Sequence, residues 1–292
     1  LILPLLIIWA AIAVLIYPMV GVVYNDWKRS GIAHNYDSFV EGIPDAARQA
    51  ALDEAHQYND TLDGEPILDP YVGDVALTES PDYRKYLGIL DQTEAIGRIR
   101  VPDADIDLPI YHGTEDRAIT LGAGHLYGTA LPVGGQGTHA VVTSHTGLTN
   151  ATLFDNLTKV EKGDRMYADV MGQAVGYEVH EIKTVLPTEL DDLNTDPNSD
   201  LLTLFTCYPY GVNSHRLLVT GHRIPMEFVQ ENSPLEKASL LKPWMWWGVV
   251  AILVGILLTV LLVSKEVRKK HRQDAAIARW HEEHPEYRQS LE

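Results

Sequence analysis

Hydrophobic positions are unevenly spread along this chain of 292 residues. Residues 1–23 and 244–263 contain no charged side chain. A helix of roughly 20 apolar residues crosses a bilayer core of about 30 Å, so each stretch is long enough to span one. The second opens on Trp244, Trp246 and Trp247, which suit a membrane interface, and is followed by Lys265, Arg268, Lys269, Lys270 and Arg272. A basic cluster of that kind stays on the cytoplasmic side. Residues 18–23 offer no small-x-small cleavage site, so the first stretch reads as an uncleaved anchor. The expected topology has both termini inside and the intervening segment outside.

Between the spans the period changes. Residues 44–58 place Ala47, Ala50, Ala51, Leu52 and Ala55 on one face behind Pro44, which predicts a helix. Residues 61–81 are interrupted by Gly64, Pro66, Pro70, Gly73 and Pro81 and read as a loop long enough to suggest function or mobility. From Ala95 onward the apolar runs are short. Strands are expected at 96–101, 108–111, 139–144, 165–169, 175–182, 201–206 and 216–222. Turn groups such as Pro102-Asp103, Gly134-Gly135 and Asp196-Pro197-Asn198 separate them, and 151–157 reads as one or two helical turns. Many short strands with little helix point to a closed or nearly closed β-barrel. The expected division is an anchor at 1–23, a helical segment at 24–63, a loop at 64–81, a barrel at 82–226, a linker at 227–243, a second span at 244–263 and a tail at 264–292.

Charge sharpens this division. The formal net charge is −17, yet residues 264–292 hold seven of the 23 basic and six of the 40 acidic residues. The remainder, with 16 basic and 34 acidic, is too acidic to bind nucleic acid electrostatically. Its acidity reads first as a device for solubility. One cysteine, Cys207, excludes an internal disulfide framework and a zinc site built from several thiolates.

Cys207 ends an apolar run, 201–206, that breaks at Pro209 and Gly211. This puts the thiol at a strand end, whereas an inert cysteine sits more often in mid-strand. A nucleophilic thiol needs a base or a positive field. His145 ends another predicted strand at the Thr146-Gly147 turn, and Arg216 follows Cys207 by nine residues across a second turn. In a hairpin that separation returns a guanidinium to the side of the thiol, where its fork of donors can hold a carbonyl or an oxyanion. Taken singly, a histidine is more often a hydrogen-bonded bystander and an arginine a surface ion pair.

The surrounding residues carry a resemblance. Thr203-Leu204-Phe205-Thr206-Cys207 resembles the Thr-Leu-x-Thr-Cys signature of sortases, Ser144-His145-Thr146-Gly147 their histidine turn, and the run from Arg216 to Arg223 their arginine strand. Ile99-Arg100-Val101-Pro102 and the run from Leu108 to Gly113 are similar to the family's first two strands. The resemblance covers about residues 95–223 in the family's order. It implies a mainly β fold, an eight-stranded sortase barrel with short helices, an N-terminal helical and lid segment and two flanking transmembrane helices. It also implies a cysteine transpeptidase that cuts a Leu-Pro-x-Thr-Gly signal between Thr and Gly. Cys207 is then the nucleophile, His145 the acid/base and Arg216 the holder of substrate and oxyanion. Thr206 and Tyr208, flanking the thiol, are candidates for positioning substrate or oxyanion.

The second span and Asp69-Pro70-Tyr71 in the long loop resemble the class C branch, whose lid lays an aromatic ring over the cysteine and an aspartate near the arginine. Tyr71 departs slightly from the usual Phe or Trp; outside this context Asp-Pro is an ordinary turn. Class C implies pilin subunits as partners, one supplying the sorting signal and another an acceptor lysine, at the plasma membrane of a Gram-positive bacterium. No metal or organic cofactor is implied, and the scattered His112, His125 and His139 read as solvated or structural. The alternatives are a housekeeping sortase using a cell-wall precursor amine and a catalytically silent membrane-anchored scaffold. The strand-rich pattern, and an arginine where an asparagine orienter belongs, count against a papain-type protease.

Overall fold

The computed structural model describes residues 2–62, 80–225 and 245–284. The chain divides into two compact units, residues 1–21 with 241–292, and residues 22–240.

Among the described residues the larger unit is built on eight strands, most of which alternate or cluster buried apolar positions. They are β1 (Gly97–Val101), β2 (Ile106–His112), β3 (Ala123–His125), β4 (Thr138–Thr143), β5 (Arg165–Val170), β6 (Gln173–Val185), β7 (Asp200–Tyr208) and β8 (His215–Arg223). Hydrogen bonding closes them into a barrel in the order β1-β2-β3-β4-β7-β8-β6-β5. All neighbours are antiparallel except β2 with β3 and β4 with β7. The seven expected strands all form, with shifted ends. The eighth, β3, is Ala-Gly-His and too short to carry a period. Ile99, Val101, Ile110, Val142, Leu202, Leu204 and Val219 meet in the main core. Phe205, Leu218 and Val141, on the opposite faces of their strands, join a second cluster with Leu126, Leu190 and Leu193. The period of two thus serves two apolar layers.

Helix α1 (Ile2–Glu41) runs on past the uncharged stretch without a break. In the larger unit its buried residues are Val22, Arg29, Ala33, Tyr36 and Val40, a stripe at helical spacing. The stripe lies on the barrel: Tyr36 Oη donates to Ile96 O at 3.1 Å and accepts from Met171 N at 2.9 Å. Beside it Arg98, pointing out of the barrel, is sandwiched between Asp37 of α1 and Asp107 of β2, the latter at 2.7 Å.

Helix α2 (Asp45–Asn59) follows the predicted span, with Pro44 at its N-cap. Its last residue, Asn59, accepts from Leu131 N at 2.7 Å and donates to Leu131 O at 3.1 Å. Pro81, read as a breaker, instead starts helix α3 (Pro81–Leu87). A proline lacks only a donor that is unpaired in a first turn anyway, and Ser80 caps the helix by accepting from Tyr83 N at 3.0 Å. Helix α4 (Asp116–Leu121) had no sequence signal, being six residues long.

In the smaller unit the first part of α1 meets α5 (Trp246–Glu283), which runs unbroken through the basic cluster. Gly248 and Gly255 leave no room for a Cβ beside Met19 and Ile12, and Trp9 Nε1 donates to Thr259 Oγ1 at 3.2 Å. Both helices are long and apolar enough to cross a membrane.

Candidate active site

Strand β7 carries Cys207 to its penultimate position, and the β7–β8 hairpin pairs Cys207 directly with Arg216 and Tyr208 with His215. The nine-residue separation therefore closes as the hairpin arithmetic requires. The turn is tightened by Val212 N and Asn213 N, each donating to Pro209 O at 3.0 Å, with Gly211 and Asn213 in the left-handed region. Arg216 is buried, and its Nη1 donates to Asn213 O at 3.1 Å and His215 O at 3.0 Å. These bonds fold the guanidinium against the turn. Cys207 forms no disulfide and is buried, 8% exposed.

His145 arrives by a different route. β4 runs parallel to β7 with Thr143 opposite Phe205, and Thr143 Oγ1 donates to Phe205 O at 2.9 Å. One step further, Thr206 Oγ1 donates to Ser144 O at 2.7 Å and is hydrogen-bonded to Thr146 Oγ1. Thr206 thus holds both neighbours of His145. Its side chain is fully buried in that task. Tyr208 is half-buried against the main core. Gly147, at φ +87°, lies against Gly211 of the β7–β8 turn, so the two turns meet.

Asp116, the first residue of α4, sits 3.7 Å from His145 Nε2 through Oδ1. Burial lowers the imidazole pKa below its ordinary value, while the Asp116 carboxylate pulls it back up. Neither spacing nor motif marked Asp116, because the contact joins the N-terminus of a six-residue helix to a turn 29 residues away. Asp69, Pro70 and Tyr71 lie outside the described residues.

The three other histidines singled out in the sequence, His112, His125 and His139, are held by hydrogen bonds elsewhere. His125 is fully buried between Tyr86 Oη and Ala130 O, each at 2.8 Å, and burial lowers its pKa to about 4. His139 bridges Asn194 O at 3.0 Å and Thr203 Oγ1 at 2.7 Å, and His112 Nε2 donates to Ile89 O at 2.7 Å. Among the described residues no group of three or more His, Cys, Asp or Glu is placed to hold a metal ion.

Residues 99–224 match the family model described as the Sortase domain. The chain is 50% identical to sortase C-1 from Actinomyces oris, covering 62% of this chain and 99% of that one, with a TM-score of 0.58. The chain belongs to the sortase family. Sortase A from Corynebacterium diphtheriae is 47% identical, covering 66% and 90% of the two chains, at a TM-score of 0.61; a lid mutant of the same enzyme has a similar fold. Sortase C from Streptococcus pneumoniae, whose structure bears on catalysis and pilin substrate specificity, is 38% identical over 67% and 97%, at 0.61. Among curated relatives, Sortase A of Streptococcus agalactiae serotype III is 33% identical over 115 residues, 38% of this chain. The chain spans about half, 46%, of that sortase's length.

Proposed function

We propose that this sortase is a membrane-anchored cysteine transpeptidase that joins pilin subunits. The Cys207 sulfur attacks the threonine carbonyl of a Leu-Pro-x-Thr-Gly signal, and Arg216 takes the charge that develops on the carbonyl oxygen. His145 gives a proton to the departing glycine amine, leaving a thioester on Cys207. A lysine amine of a second subunit then attacks the thioester carbon and yields its proton to His145. The C–S bond breaks, an isopeptide bond remains and the thiolate is restored.

The observation that carries this reading is the β7–β8 register that sets Cys207 beside Arg216, on a strand whose Thr206 grips both flanks of His145. The pilin assignment draws on the likeness to the Actinomyces sortase C-1 and to the Streptococcus pneumoniae enzyme.

The test is to incubate the full chain in detergent with a pilin bearing the signal and an acceptor lysine. Intact-mass analysis should find an acyl adduct on Cys207, and the product should be a covalent ladder joined from threonine to lysine. Cys207→Ala should yield neither. Adduct formation with transfer only to a cell-wall precursor amine identifies the housekeeping reading instead. A chain that forms no adduct refutes the transpeptidase reading.

Asp69-Pro70-Tyr71 is proposed as a lid over this site, as the lid mutant of the Corynebacterium enzyme suggests. Asp69→Ala and Tyr71→Ala should then let iodoacetamide reach Cys207 faster than in the parent; unchanged alkylation rates refute the lid.

A further inference from the structure

The turn after His145 is fastened from outside the barrel. Asp26 of α1 accepts from Thr152 twice, from its backbone N at 3.1 Å through Oδ1 and from its hydroxyl at 2.5 Å through Oδ2. One residue earlier on α1, Asn25 Nδ2 donates to Asn150 O at 2.9 Å. Two residues beyond Thr152 the backbone returns to the site, where Phe154 N donates to His145 O at 3.1 Å. The same face of α1 also holds the other segment that meets His145. Arg29, buried and 3.8 Å from Asp26, donates to Thr120 O at the end of α4 at 2.8 Å through Nη2 and 3.3 Å through Nε. At its other end α4 presents Asp116 to the imidazole.

A core anchor for this loop needs no carboxylate. An acidic side chain that takes both donors of one threonine, on a loop two residues from the histidine's own backbone bond, fixes position in two directions. It does so at the site's edge, where Asp26 remains partly exposed and the barrel core is already complete without it.

We propose that Asp26 is a positioning residue for His145: through Thr152 it sets the height and orientation of the histidine turn relative to Cys207. The helix that carries the apolar anchor therefore also braces the acid/base. This rests on the reading of His145 as the partner of Cys207.

The test uses the full chain in detergent micelles, with Asp26→Ala, Thr152→Val, Thr152→Ser and the Asp26→Ala/Thr152→Val double variant. One arm measures kcat and KM on a Leu-Pro-x-Thr-Gly peptide with a lysine-like amine acceptor. The other follows the pH profile of Cys207 alkylation by iodoacetamide, with His145→Ala as reference. Asp26→Ala and Thr152→Val should each lower kcat about tenfold, the scale of a sub-ångström misplacement, with KM changed less than about twofold. Their alkylation profiles should move toward that of His145→Ala, Thr152→Ser should stay with the parent, and the double variant should lose no more than either single one. Parental kcat and parental profile in Asp26→Ala overturn the proposal. So does a loss accounted for wholly by a smaller folded fraction, or a His145→Ala profile that coincides with the parent's. A parent that turns over no peptide refutes the transpeptidase reading alone, and the alkylation arm still decides the brace.

Discussion

A carboxylate beside an imidazole sets how far up the pH scale that imidazole stays charged. At His145 burial lowers the pKa and Asp116 raises it, so removing the acid leaves burial unopposed. Asp116→Asn is therefore expected to lower the His145 pKa further. The protonated form, which in the proposed reaction serves the leaving amine, then disappears at lower pH, and the alkaline limb of kcat/KM should move down the scale. The shift should be small, because Asp116 is almost fully solvated; a limb that stays put or moves up contradicts the assignment. His125 makes a larger pH effect without touching the site. Its pKa falls from 6.5 to about 4 on folding, so the unfolded chain binds the proton more readily. The stability it preserves is complete above pH 6.5 and is lost as the pH falls toward 4, in all about 3 kcal/mol. Denaturant titrations of the full chain in detergent at pH 7 and pH 4.5 should show that loss, and His125→Gln should flatten it.

At the scale of elements, what the sequence displayed depended on length and separation. The β7–β8 hairpin was legible because strand period and a nine-residue spacing put Cys207 and Arg216 on one face. The approach of the His145 turn to β7 had a weaker signal, a second strand end at a polar turn together with the motif. β4 and β7 pair in parallel across 62 residues, and no local pattern encodes a partner so distant. α4 and β3 were invisible, each shorter than two turns or two periods. The polar half of α1 was expected to be helical, but its docking was hidden for another reason: Arg29 and Asp37 look like solvent-facing residues until the barrel supplies their partners. That docking is testable. Tyr36 Oη satisfies Ile96 O and Met171 N at once. Tyr36→Phe leaves both buried groups unpaired, at a cost of about 1–3 kcal/mol in denaturant stability. A change below a few tenths contradicts the contact.

For the whole molecule, composition gave more than geometry did. Two uncharged stretches, a basic cluster after the second and an acidic middle set out the order in which the structure places an apolar helix, the barrel and a second apolar helix. The expected topology can be read with single cysteines in a Cys207→Ala background. Ala46→Cys, on α2, should react with a membrane-impermeant maleimide in intact cells; Ala275→Cys, beyond the basic cluster, should react only after permeabilisation. Labelling of Ala275→Cys in intact cells overturns the two-span reading. The closed order of the strands was not legible, since closure depends on β6 meeting both β5 and β8 rather than on any one strand's pattern.

Barrel order has a consequence for the newborn chain. β8 fills the gap between β7 and β6 and is the last strand in sequence, so an emerging polypeptide holds its sulfur before it holds the guanidinium. A chain stopped short of residue 216 lacks both that guanidinium and the strand joining β7 to β6, so the proposed acyl transfer should be absent until synthesis has passed it.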